Sequence, residues 1–192
     1  MRLFQFLFRT DANPYHRLVL KESKSDEATK ALLAGLSGLA FGFSQGADAI
    51  YRQLLIEQFK DYEQRYGCTL LAHIDIVKQA CLVRAVRSFM LYTFCHQIAE
   101  SGKEQTAIPL TSALYFEIYK EKPAQGRGDF LDYIMYQNPH FEDRNMAPAF
   151  KFGNEIAQIM ETMDMAFSMM ASQQAILIAE ITRRILNGLI KN

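Results

Sequence analysis

Arg84 and Arg87 stand one helical turn apart in a stretch with no other charge between Ala80 and Cys95, and Tyr92 and His96 follow further along it. A guanidinium is costly to bury without a counter-charge, so each arginine must meet an internal carboxylate or a bound anion. An apolar helical pocket ending in an arginine suits a fatty acid or another amphipathic acid. Arg84, Arg87, Tyr92 and His96 are therefore the candidate ligand-binding residues. Glu57, Asp61 and Asp164 are the carboxylates that would instead give an internal salt bridge, the commoner use of such an arginine. Metal chemistry has little to work with. His96 and Glu100 lie one turn apart, but two ligands do not complete a site, and His16, His73 and His140 are scattered. No metal and no cofactor is expected. Gly126-Arg127-Gly128 lacks the rest of a phosphate-cradling fingerprint. Arg127-Gly128-Asp129 reads as a loop followed by a helix cap.

A second constellation is Gly42-Phe43-Ser44-Gln45-Gly46. With Ala47 it resembles the GFSQG-type nucleophile elbow of esterases and thioesterases in the α/β-hydrolase family. The resemblance covers five or six residues. It implies a serine on a strained strand-to-helix turn beside backbone N–H donors for an oxyanion. It also implies a serine–acid–histidine triad, which Ser44, Asp75 (or Asp132) and His140 would fill in that order. The residues read by themselves say otherwise. Residues 34–43 are rich in Ala, Gly and Leu and hold no Val or Ile, so no strand is expected before the serine. Ala31, Gly35, Gly38, Gly42, Gly46 and Ala49 fall on one face of a helical wheel, beside a wide apolar face of Leu32, Leu36, Leu39, Phe43, Ala47, Ile50 and Leu54. Interior helical glycines cost about 1 kcal/mol each relative to Ala. Close approach of another backbone would compensate, and the C-terminal helix is the expected neighbour.

The elements that must position these groups read as helices. Residues 154–190 carry apolar side chains at steps of three and four, from Ile156 through Met160, Met163, Phe167 and Met170 to Ile178, Ile181, Ile185 and Leu189. Gln174 is the one polar member of that stripe. Such a helix would run about 55 Å, longer than a compact chain of this size is wide. It must kink at Gln173-Gln174, project, or be shared with a second copy. Met160, Met163, Met165, Met169 and Met170 read first as plain core, the alternative being an adaptable shared surface. Residues 26–66 read as a helix stopped by Gly67, and residues 70–100 as another capped by Thr69. A third is expected from Pro109 to about residue 121, and a short one over 130–137 capped by Asp129.

This pattern predicts an all-α fold: one helical domain over residues 1–192, a bundle of four to five helices around a long central C-terminal helix, with residues 1–22 of uncertain structure. With 49% hydrophobic residues the chain is expected to be globular. Its 21 basic and 21 acidic residues cancel, which argues against nucleic acid as a partner. Three cysteines without a CxxC spacing suit reduced thiols and a cytoplasmic protein. The expected function is non-enzymatic: binding of a partner protein or an apolar or amphipathic acidic ligand, with self-association into a homo-oligomer. The alternatives are the Ser44 hydrolase and a membrane-surface protein using Leu3–Phe8.

Overall fold

The computed structural model describes residues 13–22, 27–124, 129–136 and 146–190. The chain is all-α, with no strand among those residues. In order it forms α1 (His16–Glu22), α2 (Glu27–Ala34), α3 (Leu36–Ile50), a π-helical segment (Tyr51–Leu55), α4 (Ile56–Tyr66), a 3-10 turn (Leu71–His73), α5 (Ile76–Glu100), α6 (Glu104–Tyr119), α7 (Phe130–Met135), α8 (Met146–Ile159) and α9 (Met165–Ile190). No helix among the described residues is long and apolar enough to cross a membrane.

The central element is α5, not the C-terminal helix. It packs against α3, α6, α7, α8 and α9. From Leu82 to Ile98 its buried residues occur on every side, with Leu82, Val86, Met90, Leu91 and Phe94 fully enclosed. That placement explains why Arg84 and Arg87 are the only charges in the stretch: a helix covered nearly all round has little solvent stripe to fill with polar residues. Asp75 caps it, accepting a hydrogen bond from Lys78 N at 2.7 Å through Oδ1, so Thr69 is not the cap. Val77 and Cys81, in the first turns of α5, are exposed.

The expected 154–190 helix is two helices. Glu161 adopts a left-handed conformation at φ 55°. Thr162 N donates to Ala157 O and Glu161 N to Gln158 O, the paired bonds of a Schellman stop. Asp164 then caps α9, its Oδ1 accepting from Ala166 N at 2.8 Å. Gln173 and Gln174 lie within α9, which is helical without interruption across them. Gln174 is buried, with Oε1 lacking a hydrogen-bond partner among the described residues. The 26–66 helix is likewise interrupted, at Gly35 and by the π-helical segment, and ends at Gly67 (φ 65°) as expected. Pro109 sits inside α6 rather than at its start. It deprives only the carbonyl of exposed Gln105 of its i+4 donor, where water can serve instead.

The glycine face of α3 does not meet a helix backbone. This helix packs on α5 and α6, and nothing described lies within 4 Å of where a Cβ of Gly38 or Gly42 would sit. Gly46 alone approaches the C-terminal helix, through Ile185, and it also faces Met90. The close approach occurs at Gly153, where α8 and α9 touch. A Cβ there would overlap Ser172 Oγ and the Ser168 carbonyl oxygen, with Ser172 N at 2.9 Å.

Candidate functional site

Arg84 and Arg87 project from α5 toward the end of α6. There Lys120 closes the helix in a left-handed conformation, φ 56°, and the turn brings Glu121 back over α5. Arg84 Nη2 donates to Glu121 Oε1 and to Tyr115 Oη, both at 2.9 Å, and Tyr115 Oη donates to the same carboxylate oxygen at 3.0 Å. Tyr119 stacks beneath both guanidinium groups, its ring centroid 4.7 Å from Arg84 Cζ and 5.5 Å from Arg87 Cζ, within cation–π range. Burial alone would lower the Arg84 pKa, but the Glu121 hydrogen bond and the neighbouring tyrosines and carboxylate raise it. Burial pushes both Tyr115 and Tyr119 up from the ordinary phenol value, against the pull of the arginines. The internal salt bridge thus forms, but with Glu121. Of the carboxylates picked from sequence, Glu57 pairs with Lys60 and Asp164 accepts from Tyr62 Oη.

The other two expected ligand residues lie apart from the arginine pair. Tyr92 and His96 have ring centroids 6.1 Å apart, Tyr92 leans on Phe89 and Tyr133, and His96 Nδ1 is 3.4 Å from Glu100. Sequence reasoning missed Glu155, whose partner Tyr133 packs on Tyr92. Tyr133 Oη donates to Glu155 Oε2 at 2.5 Å, and Lys151 Nζ lies 5.0 Å over the Tyr133 ring. Burial raises the Glu155 pKa, only partly offset by that hydrogen bond and by Lys151. Asp129 is fully buried as the cap of α7. Its two oxygens accept from Leu131 N at 2.9 Å and Ala124 N at 2.6 Å, and burial pushes its carboxyl above the usual range. A sequence signal existed for Asp129 as a cap but not for Glu155, whose partner comes from another helix. The network ties α5, α6, α7 and α8 together, with each named carboxylate already accepting from a protein donor.

Ser44 lies half-buried within α3, so the strand–turn–helix that the elbow resemblance implies is not formed there. Its surroundings are a shallow cleft of about 280 Å³ shared with Phe41, Glu117, Ile118 and Lys120. Asp75 is engaged as the α5 cap, at the head of a different helix, and Asp132 sits in the first turn of α7. His140 lies outside the described residues, as do Leu3–Phe8. Among the described residues no three His, Cys, Asp or Glu side chains form a group able to hold a metal ion.

The feature that stands out on the surface is apolar. Lys78 Nζ holds Glu161 Oε2 at 3.0 Å, and Tyr62 Oη reaches Asp164, so the end of α4, the start of α5 and the α8–α9 turn share one end of the molecule. That end exposes Tyr66, Val77, Met163, Ile76 (82% exposed) and Met165 (72%). The apolar surface continues along α9 through Met169, Ile176 and Leu177. Comparison with protein-family models, with characterised proteins and with solved structures gives no match. The surface itself must carry the reading.

Of the five methionines read first as core, only Met160 is buried and Met170 is half-buried, whereas Met163, Met165 and Met169 are exposed. Singly exposed apolar residues are ordinary on a protein surface. Here several of them lie along one helix face and around one end. Methionine suits such a surface because its flexible, polarisable side chain fits many shapes.

Proposed function

We propose that this chain is a non-enzymatic helical docking protein whose working surface is the apolar end and the outer face of α9, and that it self-associates there. One observation carries the reading: Met163, Met165, Met169, Ile176 and Leu177 lie exposed on α9 and the turn that leads into it, with Ile76, Val77 and Tyr66 at the same end. Large apolar side chains left in water cost about 1.5–3 kcal/mol each relative to full burial, so a partner that covers them gains by doing so. Arg84 has Glu121 as its counter-charge, so no bound anion is needed to explain that residue. One hydrophobic cluster gathers buried residues from α1 through α9, which favours a single helical domain. The free thiols of Cys68, Cys81 and Cys95 fit a reducing, cytoplasmic setting.

The test is a double charge substitution, Met165→Glu with Met169→Glu, examined by sedimentation velocity. Wild type is expected to sediment as an oligomer, and the variant as a monomer with unchanged helical circular dichroism. Equal sedimentation of the two would sink the assignment of this face.

A further inference from the structure

Resting on that reading, we infer that the occupant of the α9 face is a second copy of the chain, laid antiparallel along α9 about a two-fold axis through Gln173. The outer face of α9 is unlike at its two ends. Met165 and Met169 occupy the first half, with exposed Glu161 in the turn just before it, whereas Arg183 and Arg184 stand exposed near the far end. Parallel self-pairing would set Arg183 and Arg184 against their own copies, a like-charge contact that costs energy. Antiparallel pairing carries Arg183 and Arg184 toward the other copy's α8–α9 turn, where Glu161 and Met163 are exposed and an arginine's aliphatic stem can cover apolar surface. Glu161 already holds Lys78 and Arg184 holds Glu180, so these contacts extend existing pairs into a charge network across the interface.

The centre of the face is self-complementary under the same operation. With the axis at exposed Gln173, Met169 of each copy lies opposite Leu177 of the other, and both are exposed apolar residues. Gln173 meets itself, and an amide can donate to and accept from its own mate. A closed two-fold contact of this kind uses one patch twice, so the face carries its own complement. From Met165 to Arg184 it extends about 30 Å.

Disulfide trapping in the full chain tests this register. In a background with Cys68→Ser and Cys81→Ser, Gln173→Cys is expected to form a covalent dimer under mild oxidation, because residues on the axis come within disulfide reach. Met169→Cys and Leu177→Cys are each expected to cross-link several-fold less alone, and efficiently when the two proteins are mixed. Self-cross-linking of all three single variants to the same extent would overturn the antiparallel arrangement. Light scattering on the unoxidised parent separates the two levels of the proposal. A dimer that none of the three positions traps would leave self-association standing and remove this register. A monomer at the same concentration would remove both.

Discussion

Gly153 is the residue at which backbone and packing constrain each other most tightly. Because a Cβ there would overlap backbone and side-chain oxygen of α9, Gly153→Ala is expected to force α8 and α9 apart and destabilise by about 1–3 kcal/mol. Gly38→Ala, with open space where the methyl would go, should instead stabilise by about 0.5–1 kcal/mol through helix propensity. Urea unfolding of both variants reads the pair, and a stabilised Gly153→Ala would refute the close contact. The Tyr133–Glu155 hydrogen bond gives a pH-dependent counterpart. Burial raises the folded-state pKa of Glu155 above its ordinary value. The native state therefore binds the extra proton, and this group's contribution to stability is lost as pH rises through the raised pKa. Tyr133→Phe removes the one hydrogen bond that lowers that pKa, so its penalty should grow with pH. It should be small at about pH 4 and about 1–3 kcal/mol at about pH 8. A penalty that is flat or larger in acid would show that the carboxylate does not rely on Tyr133.

Among the elements, α5 and the α8–α9 pair show what periodicity reveals and what it hides. The run from Ala80 to Cys95 is apolar apart from Arg84 and Arg87, and α5 is largely buried along it. The break between α8 and α9 was hidden because Met160, Met163 and Phe167 keep three- and four-residue spacing straight across it. Met160 and Phe167 are core residues of two different helices, while Met163 between them is exposed. The local signal was Asp164, a helix-capping residue type just before Met165, and it was outweighed by the stripe. The glycine stripe was expected on one helix face against another backbone, but it crosses the break at Gly35 and is open at Gly38 and Gly42, because a wheel does not show what covers a face. Arg84 was legible as an arginine needing a partner. Glu121 was not, since only the left-handed turn at Lys120 brings it back. Capping offers a clean check at this scale. Asp75→Ala should cost about 1 kcal/mol and Thr69→Ala much less, as read by the shift in thermal midpoint. Equal costs would contradict the observed start of α5.

At the scale of the whole molecule, an all-α chain was legible from the sequence, whereas the architecture around α5 was not. The expectation of a shared helix arose from a length argument that the Schellman stop at Glu161 removes. The methionine run read first as core, and the exposure of Met163, Met165 and Met169 overturns that for these three. Self-association therefore now rests on surface chemistry rather than on the length of one helix. The measurement that tests it most directly is light scattering after size exclusion on the wild-type chain, at about 1 μM and about 100 μM. The expected result is a mass at the higher concentration near twice the 22.0 kDa of one chain, falling toward one chain on dilution if the contact is weak. A mass of one chain at both concentrations would contradict self-association through α9, and with it the docking role proposed for this face.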